Sequence, residues 1–200
     1  MLTYLSGFSL GLTLILAIGS QNAFILKQGI RNEYLFTVCC ICALSDAALI
    51  FLGVAGFGAI VNAYPAVVVI ARYCGAAFLI AYGLLSLRSA AYSSSALIAS
   101  DQGSTSRAKT VLICLAFTWL NPHVYLDTVI LLGGISTQYH PQHWLFASGA
   151  ITASLVFFFS LGYGARLLAP FFQKPVAWRL LELFVGLTML AIAASLVLGT

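Results

Sequence analysis

The chain has 200 residues, of which 62% are hydrophobic and 7% are charged, and it carries a formal net charge of +4. Soluble globular domains are about 25% charged, so this composition excludes a soluble enzyme or binding domain and indicates a membrane protein. The small positive charge is spread over loops and does not form the basic patch that nucleic-acid binding requires, so we expect no nucleic-acid partner.

Long apolar stretches recur along the chain. A helix needs about 20 apolar residues to cross roughly 30 Å of hydrocarbon, and six stretches reach this length: residues 2–24, 34–61, 66–87, 110–132, 144–165 and 176–198. We therefore predict an all-α membrane protein in which residues 1–200 form a single transmembrane domain. The first stretch has no basic n-region and no cleavage site before Lys27, so we expect it to remain in the mature protein.

The basic residues indicate the topology. Eight of the nine lie in or beside the first, third and fifth loops: Lys27, Arg31, Arg88, Arg107, Lys109, Arg166, Lys174 and Arg179. The positive-inside rule places these loops in the cytoplasm, so both termini face outward if there are six spans. A short or re-entrant first segment would leave five spans and a cytoplasmic N-terminus, and the charge pattern does not separate the two topologies.

A polar, Ser-rich segment, residues 88–109, divides the chain and is typical of a flexible cytoplasmic linker. Three spans precede it, in residues 1–87, and three follow it, in residues 110–200. Because three is odd, the second triplet crosses the membrane in the opposite sense. The sequence therefore predicts two inverted repeats, an arrangement that is common in secondary transporters.

The first span of each half is interrupted by polar residues. The interruptions are Gly19, Ser20, Gln21 and Asn22 in the first half and Asn121 and Pro122 in the second. Pro122 cannot continue a helix, whereas Asn121 is a good N-cap and proline is favoured at the first helical position. We predict that a new helix begins there, and that Ser20 or Asn22 caps another. The N–H groups at such helix starts favour a carboxylate ligand, although an ordinary kink would use the same residues.

Two carboxylates, Asp46 and Asp127, lie within apolar sequence. Each needs a partner, a water-filled cavity or a cationic ligand, because a charge inside a membrane helix costs about 3 kcal/mol or more. His123 shares a helical face with Asp127, Tyr125 lies between them, and Ser45 precedes Asp46. We predict that these side chains line one cavity, where each aspartate exchanges a proton for a cationic substrate. Hydrogen bonding to a neighbouring helix is the structural alternative.

Three other patterns have structural interpretations. Arg72 either pairs with one of the aspartates or extends to the outer headgroups. Arg179 and Glu182 are three residues apart, which predicts an ion pair at the cytoplasmic interface. Gly7 and Gly11 form a GxxxG motif, which predicts close helix packing.

Five cysteines lie within the predicted spans: Cys39, Cys40, Cys42, Cys74 and Cys114. They form no CxxC pair, so we interpret them as packing residues and expect no metal site. A membrane thiol-disulfide carrier is the alternative from another functional class, and it would need Cys39 or Cys40 to meet Cys114. The chain has no HExxH, P-loop or nucleophile-elbow motif, so we expect no enzymatic activity and no cofactor.

Three segments together resemble a known family: IGSQNAFILKQGIRNEY, CALSDAALIFLGVAGFG and TWLNPHVYLDT. They are similar to the lysine exporter (LysE) family, most closely its bacterial arginine exporter (ArgO) branch. Members typically have proline where this chain has Ser20. The resemblance implies a secondary transporter of the bacterial inner membrane that exports arginine, lysine and analogues such as canavanine, driven by the proton motive force. It also implies that Asp46 and Asp127 are functionally important.

The residues and the resemblance together give a functional hypothesis. Asp46 and Asp127 bind the cationic side chain or the α-amino group of the substrate, and the regions of Asn22 and Asn121 bind its carboxylate. Export of neutral amino acids such as homoserine or threonine, or of a metal cation, is the alternative within transport. The sequence leaves open the preference between arginine and lysine, the proton stoichiometry and whether the protein is a homo-oligomer.

Overall fold

A computed structural model describes residues 1–16, 19–57, 63–92, 106–173 and 175–198. Within these ranges the chain is helical and contains no strand. The long helices are α1 (Leu2–Ile15), α2 (Ser20–Arg31), α3 (Leu35–Leu52), α4 (Pro65–Tyr92), α5 (Arg107–Trp119), α7 (His143–Leu167) and α8 (Pro175–Leu198). Helix α6 is a composite of Pro122–Val124, the π-helical Tyr125–Leu132 and Gly133–Ser136. A π-helical turn, Gly53–Phe57, extends α3, and 3-10 segments, Thr137–Tyr139 and Ala169–Gln173, follow α6 and α7.

The prediction of an all-helical, multi-pass membrane protein is confirmed. Four stretches of the described residues are long and apolar enough to cross a membrane: Leu35–Gly56, Val69–Ala91, His143–Arg166 and Val176–Leu198. Helices α1 and α2, whose axes are inclined by 83°, make a fifth if they form one broken span. Residues 93–105 of the predicted linker lie outside the described residues, and the two ends of that linker belong to α4 and α5.

Helices α1 and α2 pack along α7. Successive contacts pair Thr3 with Gln142, Gly7 with Phe146, Gly11 with Ala150 and Gly29 with Gly162. A Cβ on Gly7 would lie 1.9 Å from a backbone oxygen of α7, so only glycine permits this approach. The close packing predicted from Gly7 and Gly11 is therefore confirmed. The contacts also show that α1 runs along the first part of α7 and that α2 meets α7 again near Gly162.

The remaining helices complete the bundle around one main core. Helix α4 packs along α8, and α3 lies against both α7 and α5. The buried side chains at the centre include Phe24, Val38, Phe117, Val185 and Met189. Large apolar side chains on the outer surface are exposed, as lipid contact allows. Because lipid is as apolar as these side chains, the association of the helices depends on close packing and on polar contacts between them.

Arg72 and Lys27 have partners that the sequence did not predict. Arg72 donates to the carbonyl oxygens of Leu196 and Val197, and so satisfies carbonyls that the end of α8 leaves free; it does not pair with an aspartate. Lys27, predicted as a loop residue, is buried at 8% exposure and binds Glu182. The sequence predicted Arg179 as a partner of Glu182 and gave no signal for Lys27.

The crossing of α3 and α6 depends on two glycines. A Cβ on Gly133 would lie 2.5 Å from the carbonyl oxygen of Gly53, and a Cβ on Gly53 would lie 2.8 Å from that of Thr128. The two backbones are therefore in direct contact. This contact holds the helix that carries Asp127 against the helix that carries Asp46.

We expect Gly133→Ala to destabilise the protein by about 1–3 kcal/mol, the usual cost of overpacking, because the opposing atoms are backbone and cannot rotate away. Gly134 is the matched control, since a Cβ there meets nothing within 4 Å and alanine favours a helix over glycine by up to about 1 kcal/mol. Both variants are solubilised in detergent and heated, and the fraction of protein that stays monodisperse is measured at each temperature. The midpoint of its loss reports the stability of each variant. Equal midpoints for the two variants would contradict the contact.

Candidate functional site

A cavity of about 490 Å³ lies where the two helix breaks meet. This volume is typical of a small-molecule site. Its polar lining comprises Ser20, Gln21, Asn22, Asp46, Asn121, His123, Asp127, Thr128 and Ser195, and Gly19 also contributes. Its apolar lining comes from α1, α6, α7 and α8. The structure therefore brings together most of the residues that the sequence singled out, including both aspartates.

The break in the second half has the predicted form. Helix α5 ends at Trp119, and α6 begins at Pro122 with Asn121 as its N-cap. The Asn121 Oδ1 atom accepts a hydrogen bond of 3.1 Å from the amide of His123. Proline fits at the first helical position because the amide hydrogen that it lacks would have no partner within the helix there. The helix start predicted from these two residues is confirmed.

Tyr125 and Ser45 support this break and do not line the cavity. The carbonyl of Trp119 cannot bond the proline nitrogen, and the amide of His123 is already used by the cap. The hydroxyl of Tyr125 donates to that carbonyl at 2.7 Å, and the Trp119 indole donates to the Ser45 hydroxyl at 3.3 Å. The prediction that Tyr125 and Ser45 face the cavity is wrong, because the broken backbone needs the donor that Tyr125 supplies.

The break in the first half is present without a proline. Gly19 is extended, and α2 begins at Ser20, but no side chain caps the new helix. Asn22 does not cap α2 as predicted; its Nδ2 donates at 2.9 Å to the carbonyl of Ile15, the last residue of α1. In each half, a side chain of the helix after the break thus donates to the carbonyl of the last residue of the helix before it.

The two carboxylates have different surroundings within the cavity. Asp46 is 7% exposed and accepts a hydrogen bond of 2.9 Å from the Ser154 hydroxyl of α7. Asp127 is half-buried on the π-helical part of α6, and His123 lines the cavity beside it. None of the described lining residues is lysine or arginine. The cavity is therefore electrostatically suited to a cation.

The starts of α2 and α6 present backbone N–H groups near the cavity. Gln21 is 8% exposed and lines the cavity, but its Nε2 atom is itself buried and is therefore not accessible to a ligand in this conformation. The N–H groups that begin α2 and α6 favour an anionic group such as a carboxylate.

The cysteines include one contact that the sequence did not predict. The sulfur atoms of Cys42 and Cys114 lie 3.2 Å apart, and both residues are fully buried. The contact joins α3 to α5, and neither residue is among those lining the cavity. Spacing along the chain gave no signal for it, since the two residues are 72 positions apart.

Comparison with known proteins identifies relatives over almost the whole chain. The family model described as LysE type translocator matches residues 12–200. A Mycobacterium tuberculosis protein named as a candidate amino-acid transporter is 47% identical over 182 residues, covering 91% of this chain and 90% of its own length. The arginine exporter protein ArgO of Serratia proteamaculans is 41% identical over 195 residues, covering 96% and 95%.

A further relative is the lysine exporter LysE of Corynebacterium diphtheriae, which is 36% identical over 223 aligned positions, covering 97% of this chain and 98% of its own. No solved structure matches the chain. The resemblance to LysE and ArgO that the sequence motifs indicated is therefore confirmed.

Proposed function

The chain belongs to the LysE type translocator family, and we propose that it exports basic amino acids, arginine and with it lysine, from the cytoplasm across the bacterial inner membrane. The single observation that carries the proposal is the cavity, in which Asp46 and Asp127 face one chamber with no lysine or arginine among its described lining. Such a chamber favours a substrate with a positively charged side chain over a neutral one.

The two kinds of polar group in the cavity match the two ends of a basic amino acid. Asp46 and Asp127 are suited to the guanidinium or ammonium and to the α-amino group, with charge-assisted hydrogen bonds. The N–H groups at the starts of α2 and α6, in the regions of Asn22 and Asn121, are suited to the α-carboxylate. The substrate would then neutralise charges that are costly to leave alone in a membrane.

Proton coupling follows from the same carboxylates. Burial favours the neutral form of an aspartate, whereas a bound cation favours the charged form. A proton that arrives from outside can therefore displace the substrate from Asp46 or Asp127, and loss of that proton to the cytoplasm restores the binding form. This exchange is antiport driven by the proton motive force and needs no cofactor.

Six membrane crossings in two inverted repeats are the architecture that fits this mechanism. One repeat comprises α1 with α2, α3 and α4, and the other comprises α5 with α6, α7 and α8. Three observations support it: both halves begin with a broken helix, a side chain bridges each break, and α1 and α2 both contact α7. In addition, Asp46 and Ser154, which bond each other, each lie 11 residues after the first residue of their helix.

The substrate class is tested by competition. In inside-out vesicles that contain the protein, uptake of radiolabelled arginine should be inhibited by unlabelled lysine and canavanine and should be insensitive to threonine and homoserine. The expectation rests on the side-chain cation, which only the first group has. Inhibition by threonine equal to that by lysine would contradict a cation-selective cavity and favour a neutral amino acid as substrate.

Asp46→Asn and Asp127→Asn should each lower arginine transport on the order of 10- to 100-fold at equal protein abundance, since a hydrogen bond to a charged group contributes about 1.5–3 kcal/mol. Glu33→Gln is the matched control, because it removes a carboxylate that lies outside the cavity lining. The measurements are vesicle uptake and growth in the presence of canavanine. Full resistance to canavanine in both aspartate variants would refute their role.

The contact between Cys42 and Cys114 favours one second candidate, a membrane thiol-disulfide carrier. For an exporter the two thiols are only packing groups, so Cys42→Ala/Cys114→Ala should transport arginine within about twofold of the native chain, as expected for a small change away from the site. Uptake by this variant, normalised to its abundance, decides the matter. Loss of uptake at normal abundance would mean that thiol chemistry is part of the function.

A further inference from the structure

A buried ion pair lies outside the cavity. Lys27 of α2 and Glu182 of α8 are 8% and 2% exposed, and the Lys27 Nζ lies 2.8 Å from both carboxylate oxygens. The ring of Tyr82 covers this Nζ, with its centroid 5.5 Å away. Glu182 belongs to the apolar stretch Val176–Leu198. Ionisable groups at such positions are costly, and a functional role is their default explanation.

The pair lies on the side of the cavity that carries the basic loops. Helix α2 begins at the cavity, and Lys27 follows Asn22 by five residues, which is about 8 Å along a helix. On α8, Ala191 lines the cavity and Glu182 lies nine residues before it, about 14 Å away along the helix. Both helices therefore lead from the cavity to the pair in the direction that the positive-inside rule assigns to the cytoplasm.

Four aromatic side chains, Phe24, Phe78, Tyr82 and Phe117, form a cluster that we name the aromatic plug. The ring centroid of Phe117 lies 5.1 Å from that of Phe24, 4.9 Å from that of Phe78 and 5.0 Å from that of Tyr82. Phe24 and Phe117 are each 1% exposed. Phe24 comes between Asn22 and Lys27 on α2, so along this helix the plug lies between the cavity and the ion pair.

We propose that the Lys27–Glu182 pair is the cytoplasmic gate of the transporter. It holds α2 and the aromatic plug against α8 while the cavity is closed to the cytoplasm, and it separates when the cavity opens inward. The inference rests on the proposed function, because a gate requires a transport cavity. Helix α2 is suited to move as a unit: it has 12 residues, the break at Gly19 precedes it, and Asn32 ends it in the left-handed conformation.

An ion pair has a physical advantage over an apolar contact at this place. In the closed state each charge satisfies the other, and in the open state water from the cytoplasm can hydrate both. The separated Glu182 then lies on the path of a cationic substrate and can bind it in place of Lys27. Because the carboxylate binds one cation at a time, the gate closes only after the substrate has moved on to the cavity.

The test compares two charge-neutralised variants. Lys27→Met/Glu182→Gln removes both charges and keeps the approximate volumes, which avoids the unpaired charge that a single substitution leaves. Glu33→Gln is the matched control, since it removes a carboxylate at the end of the same helix, 3.4 Å from Arg31, and leaves Arg31 in contact with the ring of Trp178 on α8. Thr128, which lines the cavity, is replaced by cysteine in each variant and in the native chain as a reporter.

Inside-out vesicles, which expose the cytoplasmic face, are treated with a membrane-impermeant maleimide. The signal is the labelling rate above that of the same protein with Thr128 retained. An inward-open minor state is at most about 10% populated, so loss of the pair should raise the rate at least about fivefold. The control variant should label like the native chain, and the exchanged pair Lys27→Glu/Glu182→Lys should restore slow labelling.

Slow labelling of a membrane-inserted Lys27→Met/Glu182→Gln would overturn the gate, as would an equal increase in the Glu33→Gln control. If the neutral variant does not insert into the membrane, the single variant Lys27→Glu is compared with the exchanged pair. The single variant should label fast and the exchanged pair slowly. Equal labelling rates would overturn the gate. The labelling assay contains no amino acid. If the native chain fails to take up arginine, the proposed substrate is refuted, but the labelling rates still test the gate.

Discussion

The structure depends on one constraint: a backbone carbonyl or amide inside a membrane must find a hydrogen-bond partner within the protein. The first span of each half is broken in that environment. At each break a side chain from the second helix donates to a carbonyl at the end of the first, Asn22 to Ile15 and Tyr125 to Trp119. Because the carbonyls are satisfied, the breaks persist, and the cavity exists only because they do.

The two breaks also explain why the cavity holds opposite kinds of polar group. Each break presents the N-terminal end of a helix, with its N–H groups and partial positive charge. The carboxylates come from separate places: Asp127 follows the second break on α6, and Asp46 comes from α3, where Ser154 of α7 holds it. The contact between Gly53 and Gly133 brings these two helices together. The proposed substrate, a zwitterion with an additional positive charge, has groups that match both kinds.

The parts of this architecture that depend on local sequence could be predicted. Apolar stretches locate the helices, because their length is set by the membrane, and Asn121 with Pro122 locates the second break, because proline excludes a continuous helix. The direction of a side chain near a break could not be predicted, as Tyr125 shows. Its hydroxyl donates to the Trp119 carbonyl, which lacks a backbone partner because the amide of His123 bonds Asn121 instead.

Contacts between distant parts of the chain were also beyond prediction. Lys27 looked like one of several loop cations because charge counting treats basic residues as equivalent, and its partner Glu182 is 155 residues away. The contact of Cys42 with Cys114 is hidden for the same reason, since it exists only once α3 and α5 are neighbours. The lining of the cavity, by contrast, was largely predictable, since Asp46, Asp127 and the residues of both breaks are conspicuous as polar interruptions in apolar sequence.

Helix α2 connects these features. Its first turn carries Gln21 and Asn22 at the cavity, and its later turns carry Phe24 in the aromatic plug and Lys27 in the ion pair. A rigid helix of 12 residues cannot change its position at one end without changing it at the other. A ligand that bonds the N–H groups at the start of α2 therefore acts on the same helix that Lys27 fastens to α8. If the ligand binds more tightly to one position of α2 than to another, it shifts the equilibrium between the closed and the separated ion pair. Such a shift couples the binding site to the gate.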